Sequence, residues 1–290
     1  MKSKFLMGVA VFLVMTACDG YVSYMYPKED EVCSKQITFN VSGDWELTDE
    51  PYAATRAAVA GSGMTDLWVM DYDPAYNLLQ TVHQSASDAD FGAPTIHLNY
   101  GTHFLYFVTS QGENPTLNTS NHTLSFDKVK DTFWKSVQVV VNSGTATNQS
   151  VTMDRIVTQL VIKPTDQVPN DLKTVDIQLS KWYNCIDYLS GDPTNANTDL
   201  VRSFVITNNY LGTTGTIYFI IRGFAGSDFT TNVSVTAKDA NNATIGFAAI
   251  SNAPMKRNRT SRYTGTLFGN NNAFSLNIDD TWLSDYEGTW

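Results

Sequence analysis

The chain has 290 residues and a formal net charge of −10, with 12% aromatic and 17% charged residues. An acidic balance argues against a nucleic-acid partner, which wants a basic face, and an aromatic, charge-poor composition argues against disorder and against a charge-rich helical protein. The length suits two domains, each able to bury a core of its own.

At the start, Lys2 and Lys4 precede an apolar run from Phe5 to Val14 that ends in Met15-Thr16-Ala17-Cys18. A basic beginning, a short apolar core and small residues before a cut make a secretory signal, and the run is too short to remain as a spanning helix. Because a cysteine directly follows the small residues, the pattern is that of a bacterial lipobox. Residues 1–17 are then expected to be removed and Cys18 to become the acylated first residue. A buried methylene contributes about 0.8 kcal/mol, so more than one acyl chain holds a protein to a bilayer almost irreversibly. The simpler alternative is an ordinary cleaved signal in which Cys18 happens to follow the cut. Residues 18–34 mix Asp19, Glu29, Asp30 and Glu31 with tyrosines and show no periodicity, which reads as an acidic tether.

Strand patterning begins after Lys35. Ile37 to Val41 alternates apolar and polar residues, and Leu67 to Tyr72, Thr95 to Tyr100 and Phe104 to Val108 follow in whole or part, bounded by turn formers such as Asp73-Pro74 and Gly92-Ala93-Pro94. The pattern continues through Ser136 to Val141, Ile156 to Ile162, Val175 to Leu179, Phe204 to Ile206, Thr216 to Ile221, Asn232 to Ala237 and Phe274 to Ile278. Only Val151 to Gln159 leaves room for a turn or two of helix. Many short strands with Gly, Asn and Pro turns predict an all-β protein of tandem sandwiches. The polar run Asn142 to Ser150 is the natural boundary, giving an N-terminal sandwich over 35–150 and a C-terminal one over 151–290.

Residues able to carry chemistry are sparse. His83, His97, His103 and His122 lack zinc-site spacing, although His97 and His103 could meet across a hairpin. No nucleophile elbow, cysteine–histidine context or phosphate-cradling loop is present, and Gly61-Ser62-Gly63 reads as a turn. Asp71/Asp73, Asp88/Asp90 and Asp279/Asp280 could pair for glycosidase or calcium chemistry but read more simply as strand-end and turn residues. No catalytic residue, metal or cofactor is therefore expected. Cys33 and Cys185 could form a disulfide in an exported protein, a pairing the sequence leaves open. Among the tryptophans, Trp68 and Trp134 lie in core-like patterns, whereas Trp182-Tyr183 and Trp290 are candidates to stack on sugars at the surface. Arg155 reads as a charge on the solvent face of a strand, with a domain-interface salt bridge as the alternative.

Three stretches together resemble the fimbrillin and fimbrial-anchor superfamily of Bacteroidales type V pili. They are the lipobox, tether and early strand leading to Thr55-Arg56-Ala57 and Asp66 to Tyr72; the segment Met153 to Ile162; and the basic stretch Met255 to Phe268. The resemblance implies two transthyretin-like sandwiches, a lipid-anchored place at the cell outer membrane within a fimbrium, and assembly with other fimbrial subunits by strand exchange. It also implies cell adhesion without enzymatic activity. In stalk and tip subunits of that family a protease cuts after an arginine, which matches Arg56-Ala57 here, in a polar loop open to proteolysis; anchors stay uncut. The look of Leu67 to Tyr72 with Thr81 to Gln84 leans toward the anchor. Lys256, Arg257, Arg259 and Arg262 form either a solvated loop or a patch that steers an acidic neighbouring subunit. A surface carbohydrate-binding lipoprotein is the competing reading.

Overall fold

A computed structural model of the protein describes residues 33–44, 56–58, 62–268 and 274–279. The signal segment, Cys18 and nearly all of the tether lie outside the described residues. In chain order the strands are β1 (Ser34–Asp44), β2 (Arg56–Ala58), β3 (Asp66–Tyr72), β4 (Leu78–Ser85), β5 (Thr95–Asn99), β6 (Gly101–Ser110), β7 (Thr116–Asn118), β8 (Thr123–Ser125), β9 (Thr132–Val141) and β10 (Asn148–Arg155). They continue as β11 (Val157–Pro164), β12 (Leu172–Leu179), β13 (Cys185–Asp187), β14 (Asp192–Thr194), β15 (Leu200–Val205), β16 (Phe219–Phe224), β17 (Phe229–Asp239), β18 (Thr244–Met255), β19 (Thr260–Gly265) and β20 (Phe274–Asp279). A short 3₁₀ turn, Asn208–Tyr210, is the one helical element among the described residues. The chain is all-β, as its alternating pattern predicts.

The N-terminal sandwich packs an outer sheet on a central one. In the outer sheet β1 runs parallel to β10 and is flanked on its other edge by β5 and then β2, both antiparallel. The central sheet runs β9-β6-β3-β4, and the last residues of β10 join it by pairing Asp154 with Trp134 and Arg155 with Phe133. Ile37, Phe39 and Val41 of β1 pack with Leu67, Val69, Leu105 and Phe107, while the alternate residues of β1 face outward. Phe39 and Phe107 sit 5.5 Å apart, ring centre to ring centre.

Strand β3 does not alternate, because the central sheet is covered on both faces. Its Trp68, Met70 and Tyr72 join Tyr106 and Val108 in a second buried cluster with Leu124, Phe126 and Val129, and with Ile156, Val157, Ile186, Tyr188 and Phe224 from later in the chain. A strand buried on both sides reads as a continuous apolar run. The β7-β8 hairpin also pairs with the β13-β14 hairpin, so a small four-stranded sheet stitches the two halves together. Beyond it, sheets β16-β11-β19-β20 and β15-β12-β17-β18 enclose the C-terminal core of Leu160, Ile162, Val175, Ile177, Phe219 and Val235.

One expectation changes here. Val151 to Gln159 holds no helical turn: it is the end of β10 and the start of β11. The polar run 142–150 turns the chain and then enters β10, whose residues Asn148 to Met153 pair with Thr38 to Gly43 of β1. We therefore propose the sandwich division at Ile156, where the chain passes from β10 to β11.

Arg155 lies in this crossing and is buried rather than solvent-facing. Its Nε donates to Asp131 Oδ1 at 2.7 Å and a terminal nitrogen donates to Oδ2 at 2.8 Å. Its guanidinium covers the Phe133 ring at 4.7 Å and reaches Asn258 Oδ1 of the C-terminal half at 3.4 Å. The fork geometry of the guanidinium makes such a bidentate pair strong; both partners precede Ile156, so the ion pair lies within the N-terminal sandwich, and it is the Asn258 bond that reaches the C-terminal half. Removing one partner of a buried pair costs about 3–5 kcal/mol because the other charge is stranded, whereas replacing both by apolar residues can be nearly neutral. Asp131→Ala should thus lower the urea midpoint sharply. The double variant Asp131→Leu with Arg155→Met should recover most of the loss.

Candidate functional site

No group of three or more His, Cys, Asp or Glu side chains that could hold a metal occurs among the described residues. The histidines are engaged separately. His83 Nε2 lies 2.8 Å from Asp66 and its ring stacks on Trp68 at 5.0 Å; His97 Nε2 lies 2.6 Å from Ser34 Oγ; His103 is buried between Asp71 Oδ1 at 2.8 Å and the Asn99 carbonyl at 2.9 Å. His122 packs edge-on against Tyr72 and Tyr188, whose hydroxyls share a buried hydrogen bond of 2.8 Å. Asp71 and Asp73 do not act as a pair. Asp71 is buried against His103 and Gln80, while Asp73 closes its own turn by accepting from Ala75 N, Asn77 N and Asn77 Nδ2. Those bonds, the Asn77 side chain foremost, hold its carboxyl below the usual carboxylate range. Asp88 likewise accepts from Ser85 N in a turn. Asp279 ends β20, and Asp280 lies outside the described residues.

Cys185 carries a free, buried thiol, pushed up in pKa by burial, so it forms no bridge to Cys33. Trp182 is also a correction. Its side chain is 1% exposed, its Nε1 donates to the Arg222 carbonyl at 3.1 Å, and a Cβ on Gly223 would stand 2.4 Å from its ring, so it is core and unavailable to sugars. Trp68 is buried as expected, and Trp134 is half-buried and donates to the Tyr188 carbonyl at 2.7 Å. Trp290 lies outside the described residues. Among the exposed aromatics that the sequence did not single out are Tyr210, Tyr218, Phe247 and Tyr76, the last 56% exposed and stacked on Phe104 at 5.6 Å.

The residues expected to bear on assembly sit at a sheet edge and at the junction. Arg56 and Ala57 lie within β2, opposite Asp44 and Gly43 of β1, and not in a loop. A protease would have to lift this short edge strand to reach the bond. Within the basic stretch, Arg257 is already committed: it donates to the carbonyls of Ala225 and Gly191, each at 2.7 Å, and to Asp192 Oδ1 at 2.9 Å, tying the β13-β14 hairpin to the end of β16. Lys256 pairs with Asp228 at 3.0 Å near solvent. Arg259 contributes its carbonyl to Gln159 N, and Arg262 stands in β19 opposite Val161. The sequence signal for this turn is Asn258, which takes a φ of 56° and whose N–H donates to the Val157 carbonyl at 2.7 Å.

No protein-family model matches the chain, and no curated protein matches it. Its likenesses are to solved structures. A candidate adhesin from Bacteroides ovatus superposes with a TM-score of 0.53 at 12% identity, covering 86% of this chain and 95% of that one. A candidate polysaccharide-binding protein from Bacteroides thetaiotaomicron gives 0.53 at 11% identity, covering 87% and 99%. The fimbrial anchor protein Mfa2 from Porphyromonas gingivalis gives 0.47 at 10% identity over 88% and 100%. The first two share the tandem all-β fold.

Because Arg257 spends its charge inside the molecule, Arg257→Gln should cost about 1.5–3 kcal/mol, the scale of hydrogen bonds to a charged group. Replacing Lys256, Arg259 and Arg262 together by Gln should change stability by about 1 kcal/mol or less, as surface charges do. Urea titration of the two variants side by side separates the roles.

Proposed function

We propose that this protein is a non-enzymatic fimbrial subunit, held at the outer membrane through lipid on Cys18 and acting as the anchor or a minor component that joins other subunits by β-strand exchange. The observation that carries the reading is the setting of β1. It is the strand nearest the tether, yet Ile37, Phe39 and Val41 are no more than 2% exposed and both of its edges are hydrogen-bonded. A groove that holds one donated strand this way can hold another, since main-chain rungs supply affinity and alternate side-chain pockets supply register. Each of the three buried side chains contributes about 1.5–3 kcal/mol. A cut at Arg56-Ala57 would leave β1 held by those contacts, so covalent continuity from Cys18 to the sandwich favours the uncut anchor. The net charge of −10 suits a partner with basic contacts, and the half-buried Lys256, Arg259 and Arg262 suit an acidic one.

The fold shared with a candidate adhesin agrees with this reading. A surface carbohydrate-binding lipoprotein is the second reading, supported by the exposed Tyr76 on Phe104. Intact mass of the protein from native cells decides between subunit roles: the expected N-terminus is acylated Cys18, and a dominant N-terminus at Ala57 in sheared filaments would mark a cleaved stalk or tip subunit. Cys18→Ser should release the folded protein from the membrane pellet, and its retention there would rule out lipid as the main attachment.

A further inference from the structure

We propose that β1 and β10 form a shear clamp that carries tension between the membrane attachment and the C-terminal sandwich. The proposal rests on the reading above that the lipid on Cys18 is where the chain is held.

The geometry follows from strand direction. β1 and β10 are parallel, with Thr38 level with Asn148 and Gly43 level with Met153. The tether enters at the first residue of β1, and the C-terminal sandwich leaves through Ile156 after the last residue of β10. In a parallel pair those two points lie at opposite ends of the ladder. Tension between them drags the strands past each other along their length, and all the rungs share the load. Were the pair antiparallel, the two points would lie at the same end and the rungs would open one after another.

The second edge of β1 resists in the same way. β5 pairs with Ser34 to Thr38, and farther along Phe39 N donates to the Pro94 carbonyl at 3.0 Å and Val41 N to the Gly92 carbonyl at 2.9 Å. Side chains oppose slippage as well. A one-residue slide would turn Ile37, Phe39 and Val41 out to solvent and force Thr38, Asn40 and Ser42 into the core, because strand faces alternate residue by residue. On the outer face, Thr38 Oγ1 meets Thr95 Oγ1 at 2.8 Å. At the far end of β10, the Arg155–Asp131 pair fastens the strand to the segment before β9, so load passes into the body of the protein.

Single-molecule force spectroscopy tests the clamp on the full mature chain carrying Cys18→Ser, gripped by its N-terminus. Two pulling geometries suffice: a click-reactive residue replaces exposed Lys128, near the end of the ladder where β10 exits, or exposed Ser143, at the end where β1 enters. The Lys35 Nζ bond to the Ser143 carbonyl, at 2.8 Å, fixes the latter as the β1 entry end. The expected first rupture force is several-fold higher through position 128 than through 143. Equal forces, or a higher force through 143, would overturn the clamp. Ile37→Ala with Val41→Ala should lower the force through 128 and leave that through 143 little changed; an unchanged force through 128 would also count against it. Membrane fractionation of the unmodified protein is read separately: a soluble chain would remove the load path and overturn the proposed role, whatever the force ratio.

Discussion

The N-terminal sandwich is closed by a strand that belongs to the tether's end of the chain, and the rest of the architecture depends on that closure. Ser42 and Val151 stand 109 residues apart in sequence yet adjacent in the outer sheet. Such a pairing carries a loop-closure cost that local contacts do not, and parallel pairings of this range form slowly. Until β10 arrives, Ile37, Phe39 and Val41 have no complete pocket, and until β1 arrives the groove beside β10 has an unpaired edge. An unpaired edge invites any strand of suitable pattern. The strand-exchange proposal rests on this same physics of a strand held by main-chain rungs and alternate side-chain pockets.

Closure at one end is matched by coupling at the other. The central sheet is sealed on its second face by Ile156, Val157, Ile186, Tyr188 and Phe224, so each sandwich finishes the other's packing. Polar groups within the seam are satisfied in detail: Tyr72 meets Tyr188, Trp134 meets the Tyr188 carbonyl, and Arg155 meets Asp131. Buried ion pairs contribute little net stability over apolar replacements. Their value here is positional, since the Arg155 fork accepts one arrangement of Asp131, Phe133 and Asn258 at the point where the chain changes sandwich.

Much of this is legible in the residues. β1 alternates because one face meets solvent, and its span is readable to within a few residues; β3 is readable as a strand, though its apolar run Leu67 to Met70 gives no hint of which second layer covers it. What cannot be read depends on tertiary neighbours. Arg155 looks like a surface charge until Asp131 is placed beside it, and Trp182 looks exposed until Gly223, with no side chain, makes room for its ring. Arg56 sits among small and polar residues that suggest a loop, and it becomes a strand only because Asp44 offers an open edge. Val151 to Gln159 suggests a helical turn since its apolar residues are irregularly spaced; the irregularity marks the passage from one sheet to the next at Ile156.

Complementation of the missing strand tests the dependence on β1 at its root. A chain beginning at Ala57 would lack β1, and a synthetic peptide spanning Ser34 to Asp44 would supply it. Amide hydrogen exchange and urea unfolding of the shortened chain, with and without peptide, report whether the groove depends on its strand. The expected result is a loosened N-terminal sandwich that the peptide restores in a saturable manner, with protection returning to the amides of β10 and β5, and no rescue by a peptide carrying Ile37→Asp and Phe39→Asp. A shortened chain that is as protected and as stable alone as with the peptide would contradict it.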